Sequence, residues 1–231
     1  MSDCGVMSRR AAEAEILRGN IKVNGEPVEL GFTVEPGVDV VTYRGKTIAK
    51  SSTDRYVTVM LNKPRGYVTT MSDEKGRKCV AQLVTDVGTR VYPVGRLDYD
   101  SEGLLLLTND GDLANLLTHP KHHIPKIYHV KIKERITPEK LTALGKPMEI
   151  DGYKLKPVKA EIVTLANDVT VLSMTLYEGR NRQIRKMCES LDLEIISLKR
   201  IAIGDLKLGN LKPGTWKKLT KSQVDYLRQG R

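Results

Sequence analysis

An α+β fold in two units is what the sequence predicts: a small unit over residues 1–52 and a larger one over residues 56–231, whose mixed, mostly antiparallel sheet is flanked by helices. Three observations predict it. Short runs rich in β-branched residues recur, and tight turn signals join them more often than helices do, which favours hairpins over parallel crossovers. Capped helical stretches stand between some of them. Residues 49–55, Ala-Lys-Ser-Ser-Thr-Asp-Arg, are small and polar and read as a linker.

In the small unit Ser8 can cap a helix over residues 9–18 that stops at Gly19. A short strand at residues 21–23 meets the hairpin signal Asn24-Gly25. Residues 38–41 and 47–48 flank Arg44-Gly45 as a second hairpin. In the larger unit residues 56–61 alternate and read as a strand that runs into the turn Lys63-Pro64-Arg65-Gly66. Further strands are expected at 91–94, 104–107, 127–132, 158–165, 169–176 and 195–203, with a hairpin at Asn167-Asp168. Helices are expected at 112–117, 138–144, 181–191 and 222–228.

Composition narrows the partner. The chain has 38 Lys and Arg against 28 Asp and Glu, a formal charge of +10, which favours a polyanion through phosphate neutralisation and counterion release. Its 231 residues, 40% hydrophobic, allow a small domain plus a larger one. Cys4, Cys79 and Cys188 are odd in number and far apart, with no metal-ligand or redox spacing, as in a reduced cytoplasmic protein. The longest leucine run is four residues, far short of the ~20 that span a bilayer, and the N-terminus lacks the pattern of a secretory signal. No membrane association is expected, and the chain is expected to be a monomer.

Residues 95–112 carry the densest chemical signal: five acidic residues surround the run Leu104-Leu105-Leu106-Leu107 in a basic protein. The leucines read as a buried strand bounded by Gly103 and by Asn109-Asp110-Gly111. Ahead of that strand stands Gly95-Arg96-Leu97-Asp98, a carboxylate on a rigid support. In an extended strand Asp100 shares a face with Asp98, so it is the rival carboxylate. Asp110 reads as a turn residue and Asp112 as an acid in the first turn of a helix. His119, His122 and His123 lie in an irregular segment with Pro120 and Pro125, without a carboxylate or cysteine at ligand spacing, so no metal site is assigned. No phosphate-cradling Gly-rich loop is present, and no cofactor is expected.

The small unit resembles an S4 RNA-binding domain in Cys4-Gly-Val-Met-Ser-Arg-Arg-Ala-Ala-Glu13, Gly19-Asn-Ile-Lys-Val-Asn-Gly25 and Val38-Asp-Val40. Such domains begin further ahead of the Gly-Val pair, so part of the first helix is expected to be missing here. The larger unit resembles the RsuA-type rRNA pseudouridine synthases, the group of RluB, RluE and RluF. The residues that carry this are Lys63-Pro-Arg-Gly66, Gly95-Arg-Leu-Asp98, Lys126-Ile-Tyr128 and Glu178-Gly-Arg-Asn-Arg-Gln-Ile-Arg185. The resemblance implies that Asp98 is the catalytic residue, that Tyr128 lies near the base and that Arg185 pairs with Asp98. It also implies ribosomal RNA as substrate, 23S ahead of 16S.

The implied reaction breaks the C1′–N1 bond of uridine and forms a C1′–C5 bond. It has no redox step, so one carboxylate acting on the sugar suffices. Asp98 supplies that carboxylate, and Arg185 offers it a bidentate cation. On a helix over 181–191 Arg182 lies one turn before Arg185 and is read as a phosphate contact. Tyr128, on a strand, is the stacking candidate for a base flipped out of the RNA. The remaining RNA contacts are assigned to Arg9, Arg10, Arg18, Lys63, Arg96 and Arg180. Two other readings stand beside the isomerase: a non-catalytic S4-type RNA-binding or ribosome-assembly factor, and a metal-dependent nucleic-acid hydrolase.

Overall fold

The computed structural model describes residues 1, 4–48 and 56–229, so the linker expected at 49–55 lies outside the described residues. By contacts the chain separates into Met1–Tyr56 and Val57–Arg231. No helix among the described residues is long and apolar enough to cross a membrane.

In the first unit helix α1 (Arg9–Leu17) starts where Ser8 Oγ accepts from the Ala11 N–H at 3.2 Å. It packs Ala12 and Glu15 inward against a sheet of β1 (Ile21–Val23), β2 (Glu26–Pro27), β3 (Val41–Tyr43) and β4 (Lys46–Ile48), in the order β2-β1-β3-β4 and antiparallel throughout. The Asn24-Gly25 turn has φ of 51° and 90°, the left-handed geometry that this pair tolerates. Buried Glu15 accepts from Asn20 Nδ2 at 2.8 Å, from Arg18 Nη1 at 2.5 Å and from Arg44 Nη2 at 3.3 Å. The Asn20 and Arg18 hydrogen bonds hold its carboxyl at a pKa of about 2. One carboxylate thus ties the helix end to the β3–β4 turn.

The second unit follows as β5 (Thr58–Lys63), β6 (Tyr92–Val94), β7 (Glu102–Thr108), α2 (Gly111–Thr118), β8 (Lys126–Ile132), α3 (Pro138–Gly145), β9 (Glu149–Ile150), β10 (Tyr153–Lys154), β11 (Lys159–Leu165), β12 (Thr170–Leu176), α4 (Gln183–Glu189), β13 (Ile195–Ile203), β14 (Leu206–Lys207), β15 (Trp216–Lys218) and α5 (Lys221–Arg228). The main sheet runs β11-β12-β8-β13-β7-β5-β15, with β14 on β13 and β6 on β7. The β13–β7 ladder is parallel and the other ladders are antiparallel. A short antiparallel pair, β9 and β10, stands apart. Asp110 Oδ1 caps α2 by accepting from the Leu113 N–H at 3.0 Å, and its other oxygen pairs with Arg228 of α5.

The leucine run is apolar throughout because β7 is covered on both faces. Leu104 and Leu106 pack with Met60, Leu113, Leu117 and Leu227, under α2 and α5. Leu105 and Leu107 pack with Val59, Leu61, Val80 and Val91 on the other side. Burying a leucine side chain contributes about 1.5–3 kcal/mol, so this strand anchors two clusters at once. A third cluster, around Val130, Leu172, Met174, Met187 and Leu198, holds α3 and α4 against β8, β12 and β13.

The sheet forks along β7. Its first residues, Glu102 and Gly103, pair with Lys199 and Arg200 of β13. Further on, Leu106, Leu107 and Thr108 pair with β6 instead. Between the two ladders a cleft opens. Gly103 makes the closest approach possible: its φ is +105°, and a Cβ there would lie 2.2 Å from the Arg200 carbonyl oxygen and 2.8 Å from its nitrogen. Gly103→Ala is therefore expected to lower stability by roughly 2–5 kcal/mol, from left-handed strain plus a backbone clash. Gly111, with open space around its Cβ position, is the control: Gly111→Ala should change stability by less than about 1 kcal/mol. Thermal or urea unfolding of the two variants checks both.

Candidate active site

Lys63, the last residue of β5, is fully buried. Its Nζ donates to three backbone carbonyls, those of Pro64 at 3.1 Å, Asp98 at 3.0 Å and Ser101 at 2.8 Å. Burial pulls its pKa down to about 8 against the opposing charges of Asp100, Asp98 and Glu102. The Gly66 N–H donates to the Tyr99 carbonyl at 2.8 Å. Thr69 Oγ1 donates to the Leu97 carbonyl at 2.6 Å and accepts from the Leu97 N–H at 3.2 Å. The segment that follows β5 thus grips residues 97–101 by their backbone, which leaves the Asp98 side chain free for chemistry.

Lys63 is accordingly not an RNA contact, contrary to the sequence expectation. An ammonium with all three N–H groups donated inside the protein has none left for a phosphate.

Asp98 and Asp100 stand on a turn ahead of β7 and not within a strand, so the shared-face argument from strand geometry does not apply. The Asp98 carboxylate is 35% exposed, and its ion-pair partner is Arg182, with Nη1 3.7 Å from Oδ2. The same guanidinium forks onto Asp100, with Nη1–Oδ1 and Nη2–Oδ2 both 3.3 Å. Arg185 Nη2 donates to the Asp100 carbonyl at 3.0 Å and to Ser101 Oγ at 3.2 Å, and lies 3.3 Å from Asp100 Oδ1. The expected Arg185–Asp98 pair is thus replaced by Arg182–Asp98, and Arg185 supports the turn. The physical reason is local. Helix α4 begins at Gln183, and Arg182 is its N-cap residue at φ +50°, so the two arginines do not stack one helical turn apart. Desolvation raises the Asp100 pKa, but the Arg182 hydrogen bond and the charges of Arg185 and Arg182 outweigh it and lower the pKa overall.

A cleft joins this turn to the fork in the sheet. Asp98, Arg96, Tyr128, Arg180 and Arg182 line it. Tyr128 is half-buried on β8, opposite Met174 of β12 and Arg200 of β13. Arg96 is exposed, as is Arg180, whose guanidinium carbon lies 3.2 Å from the centre of the Tyr153 ring. Arg9, Arg10 and Arg18 belong to the other unit; all are exposed, and Arg18 is held by Glu15. Thr69, Ser101 and Arg200 also build the site and escaped the sequence reading. Arg200 had a visible signal, a charge inside the apolar run Leu198-Lys199-Arg200-Ile201-Ala202-Ile203. Thr69 had none. On α4 Cys188 is fully buried, and burial pushes its thiol up to about 12. Among the described residues no cluster of three or more His, Cys, Asp or Glu is placed to hold a metal ion.

The profile of the RNA pseudouridylate synthase family matches residues 57–190, more than half of the chain. This chain belongs to that family. It is an isomerase that converts uridine in RNA to pseudouridine, and its S4 domain matches residues 5–40. The chain is similar to the ribosomal large subunit pseudouridine synthase B of Bacillus subtilis (strain 168), with 41% identity, 99% of this chain and 93% of that protein covered. It is also similar to the dual-specificity RNA pseudouridine synthase RluF of Escherichia coli O6:H1, 36% identical over 97% of this chain and 75% of that one. A crystal structure of a pseudouridylate synthase superposes with a TM-score of 0.70 at 28% identity, covering 98% of this chain and 96% of its own.

The Lys63 geometry yields a test that separates support from RNA binding. Lys63→Met takes the Nζ donor from the Pro64 and Ser101 carbonyls and leaves the Asp98 carbonyl with the Ser101 N–H alone, so stability should fall by roughly 2–4 kcal/mol. The turn that carries Asp98 should shift, lowering the saturating isomerisation rate at least tenfold with RNA affinity within threefold. Unfolding curves, binding titrations and single-turnover rates measure the three quantities.

Proposed function

We propose that this synthase modifies a uridine of ribosomal RNA, 23S ahead of 16S, with Asp98 as the catalytic carboxylate. The observation that carries the reading is the placement of Asp98: its backbone is clamped by a buried lysine, its carboxylate is accessible, and it faces a cleft lined by Tyr128. Either route to pseudouridine uses that arrangement, attack of the carboxylate on C1′ or removal of a proton from C2′. Tyr128 stacks on the flipped base. Arg182 neutralises Asp98 between turnovers, and Arg185 positions the turn. Arg96 and Arg180 at the cleft contact the RNA backbone, as do Arg9, Arg10 and Arg18 of the unit at residues 1–52. The name of the Bacillus relative supports a ribosomal substrate, and a monomer working in the cytoplasm fits such a task.

Asp98→Asn is expected to reduce release of tritium from 5-tritiated uridine RNA by more than 1,000-fold with the fold intact. Activity within tenfold of the parent protein would end the assignment. Pseudouridine mapping of ribosomal RNA from cells with and without the gene identifies the position. Because the reaction has no redox step and needs one carboxylate, turnover should be unchanged in excess EDTA on an RNA whose fold does not itself need Mg²⁺.

A second expectation concerns the S4 domain. Removing residues 1–52 should weaken RNA binding and flatten the slope of log affinity against log salt, since each phosphate contact contributes to it. Titrations at several ionic strengths check this, and an unchanged slope would take that unit out of the RNA interface.

A further inference from the structure

Arg200 is a basic side chain of the cleft that the proposed reaction does not yet use. It is 3% exposed. Its Nε donates to the Leu104 carbonyl at 2.7 Å, in the gap where β7 has left β13 and has not yet met β6. Its Nη1 reaches the Tyr128 hydroxyl at 3.5 Å. Its Nη2 is buried without a hydrogen-bond partner, and no carboxylate forms an ion pair with Arg200 among the described residues. The register of β13 shifts between Arg200 and Ala202, an irregularity of the kind that re-aims a side chain. Both Arg200 and Tyr128 line the cleft that holds Asp98.

Burying a guanidinium without a counter-charge is unfavourable, and a buried N–H without an acceptor adds to that penalty. The protein builds this arrangement at the fork of its sheet and shapes Gly103 around the Arg200 backbone. Lys126, two residues before Tyr128, lines the same cleft, and burial followed by the charge of Arg200 pulls its pKa down to about 8. Two cations thus lie near each other in the cleft that Asp98 also lines.

We propose that Arg200 is a catalytic residue whose free Nη2 donates to a carbonyl oxygen of the target uracil and stabilises the charge on the detached base. When the C1′–N1 bond breaks, its electron pair stays with the uracil, which becomes an anion delocalised onto its carbonyl oxygens. The same holds whether Asp98 attacks C1′ or removes the C2′ proton. The base then turns and its C5 bonds to C1′, either displacing the Asp98 carboxylate from C1′ or adding to the glycal as Asp98 returns the proton to C2′; the C5 proton leaves and N1 is protonated, so no net proton or electron is required. A pre-placed donor that meets charge only as it develops accelerates the step without first binding the neutral base tightly. This inference rests on the isomerase reading of the cleft.

The test compares the full-length protein with Arg200→Gln and Arg200→Lys on RNA carrying uridine or 5-fluorouridine at the target position. Fluorine stabilises the anion by itself, so the base needs less help to leave. Single-turnover consumption of uridine at saturating RNA should fall 100- to 1,000-fold in Arg200→Gln, with affinity within threefold. Consumption of 5-fluorouridine should fall at least tenfold less, and Arg200→Lys should lie between. An equal loss with both bases would overturn the proposal. So would weakened binding with a normal saturating rate, which marks a phosphate contact. Failure of Asp98→Asn to block the reaction would count against the isomerase assignment itself and is scored separately. Where the variants lose their thermal transition, the parent protein labelled with nitrogen-15 arginine gives the answer. The Arg200 guanidinium resonance should shift with target RNA that carries the base and stay put with RNA abasic at that position; a shift with both would overturn the proposal.

Discussion

A single buried ammonium holds the turn of Asp98 in place. Lys63 lies at the end of a fully buried strand and donates to three carbonyls, two of them in the turn that carries Asp98. Without it, the Pro64 and Ser101 carbonyls would lose that donor, and the turn that carries Asp98 would be held by Gly66, Thr69 and Arg185. Because the clamp acts on the backbone, the Asp98 side chain keeps its accessibility and its freedom to change partners. Arg182 takes up that freedom at 3.7 Å, within ion-pair reach and too far for a tight hydrogen bond.

The fork in the sheet has the complementary role of making room. A continuous β13–β7 ladder would close the space between Asp98 and Tyr128. The two strands instead touch at Gly103 and Arg200 and then part. Close approach at one point and separation beyond it both depend on a residue with no side chain. The freed Leu104 carbonyl is recovered by the Arg200 side chain, so the opening leaves no orphan acceptor there. Hydrophobic burial on both faces of the leucine strand keeps the opening from collapsing.

Much of this was legible in the sequence, for identifiable reasons. The leucine strand, the β11–β12 hairpin and the Asn24-Gly25 turn follow from local chemistry, since apolar runs, alternation and positive-φ residues act over a few positions. The strand at residues 216–218 was missed because Trp216, Lys217 and Lys218 lack any apolar alternation and pair at the sheet edge. The β9–β10 pair was missed because two-residue strands carry no period. Within the site, Asp98 stood out by its surroundings, whereas the identity of its cationic partner did not. That partner depends on where α4 begins, and a left-handed residue at Arg182 moves the start by enough to exchange the roles of two arginines. Lys63 looked like a surface cation because sequence alone gives no sign that three carbonyls converge on it.

The enclosed thiol of Cys188 has a consequence of another kind. Oxidants and electrophiles attack thiolates, and this one stays protonated against the sheet, on the same short helix as Arg185. The helix that steadies the turn of Asp98 thus carries a thiol with little nucleophilic character. A cell under oxidative stress can alter exposed thiols elsewhere, while this one offers an oxidant little to attack.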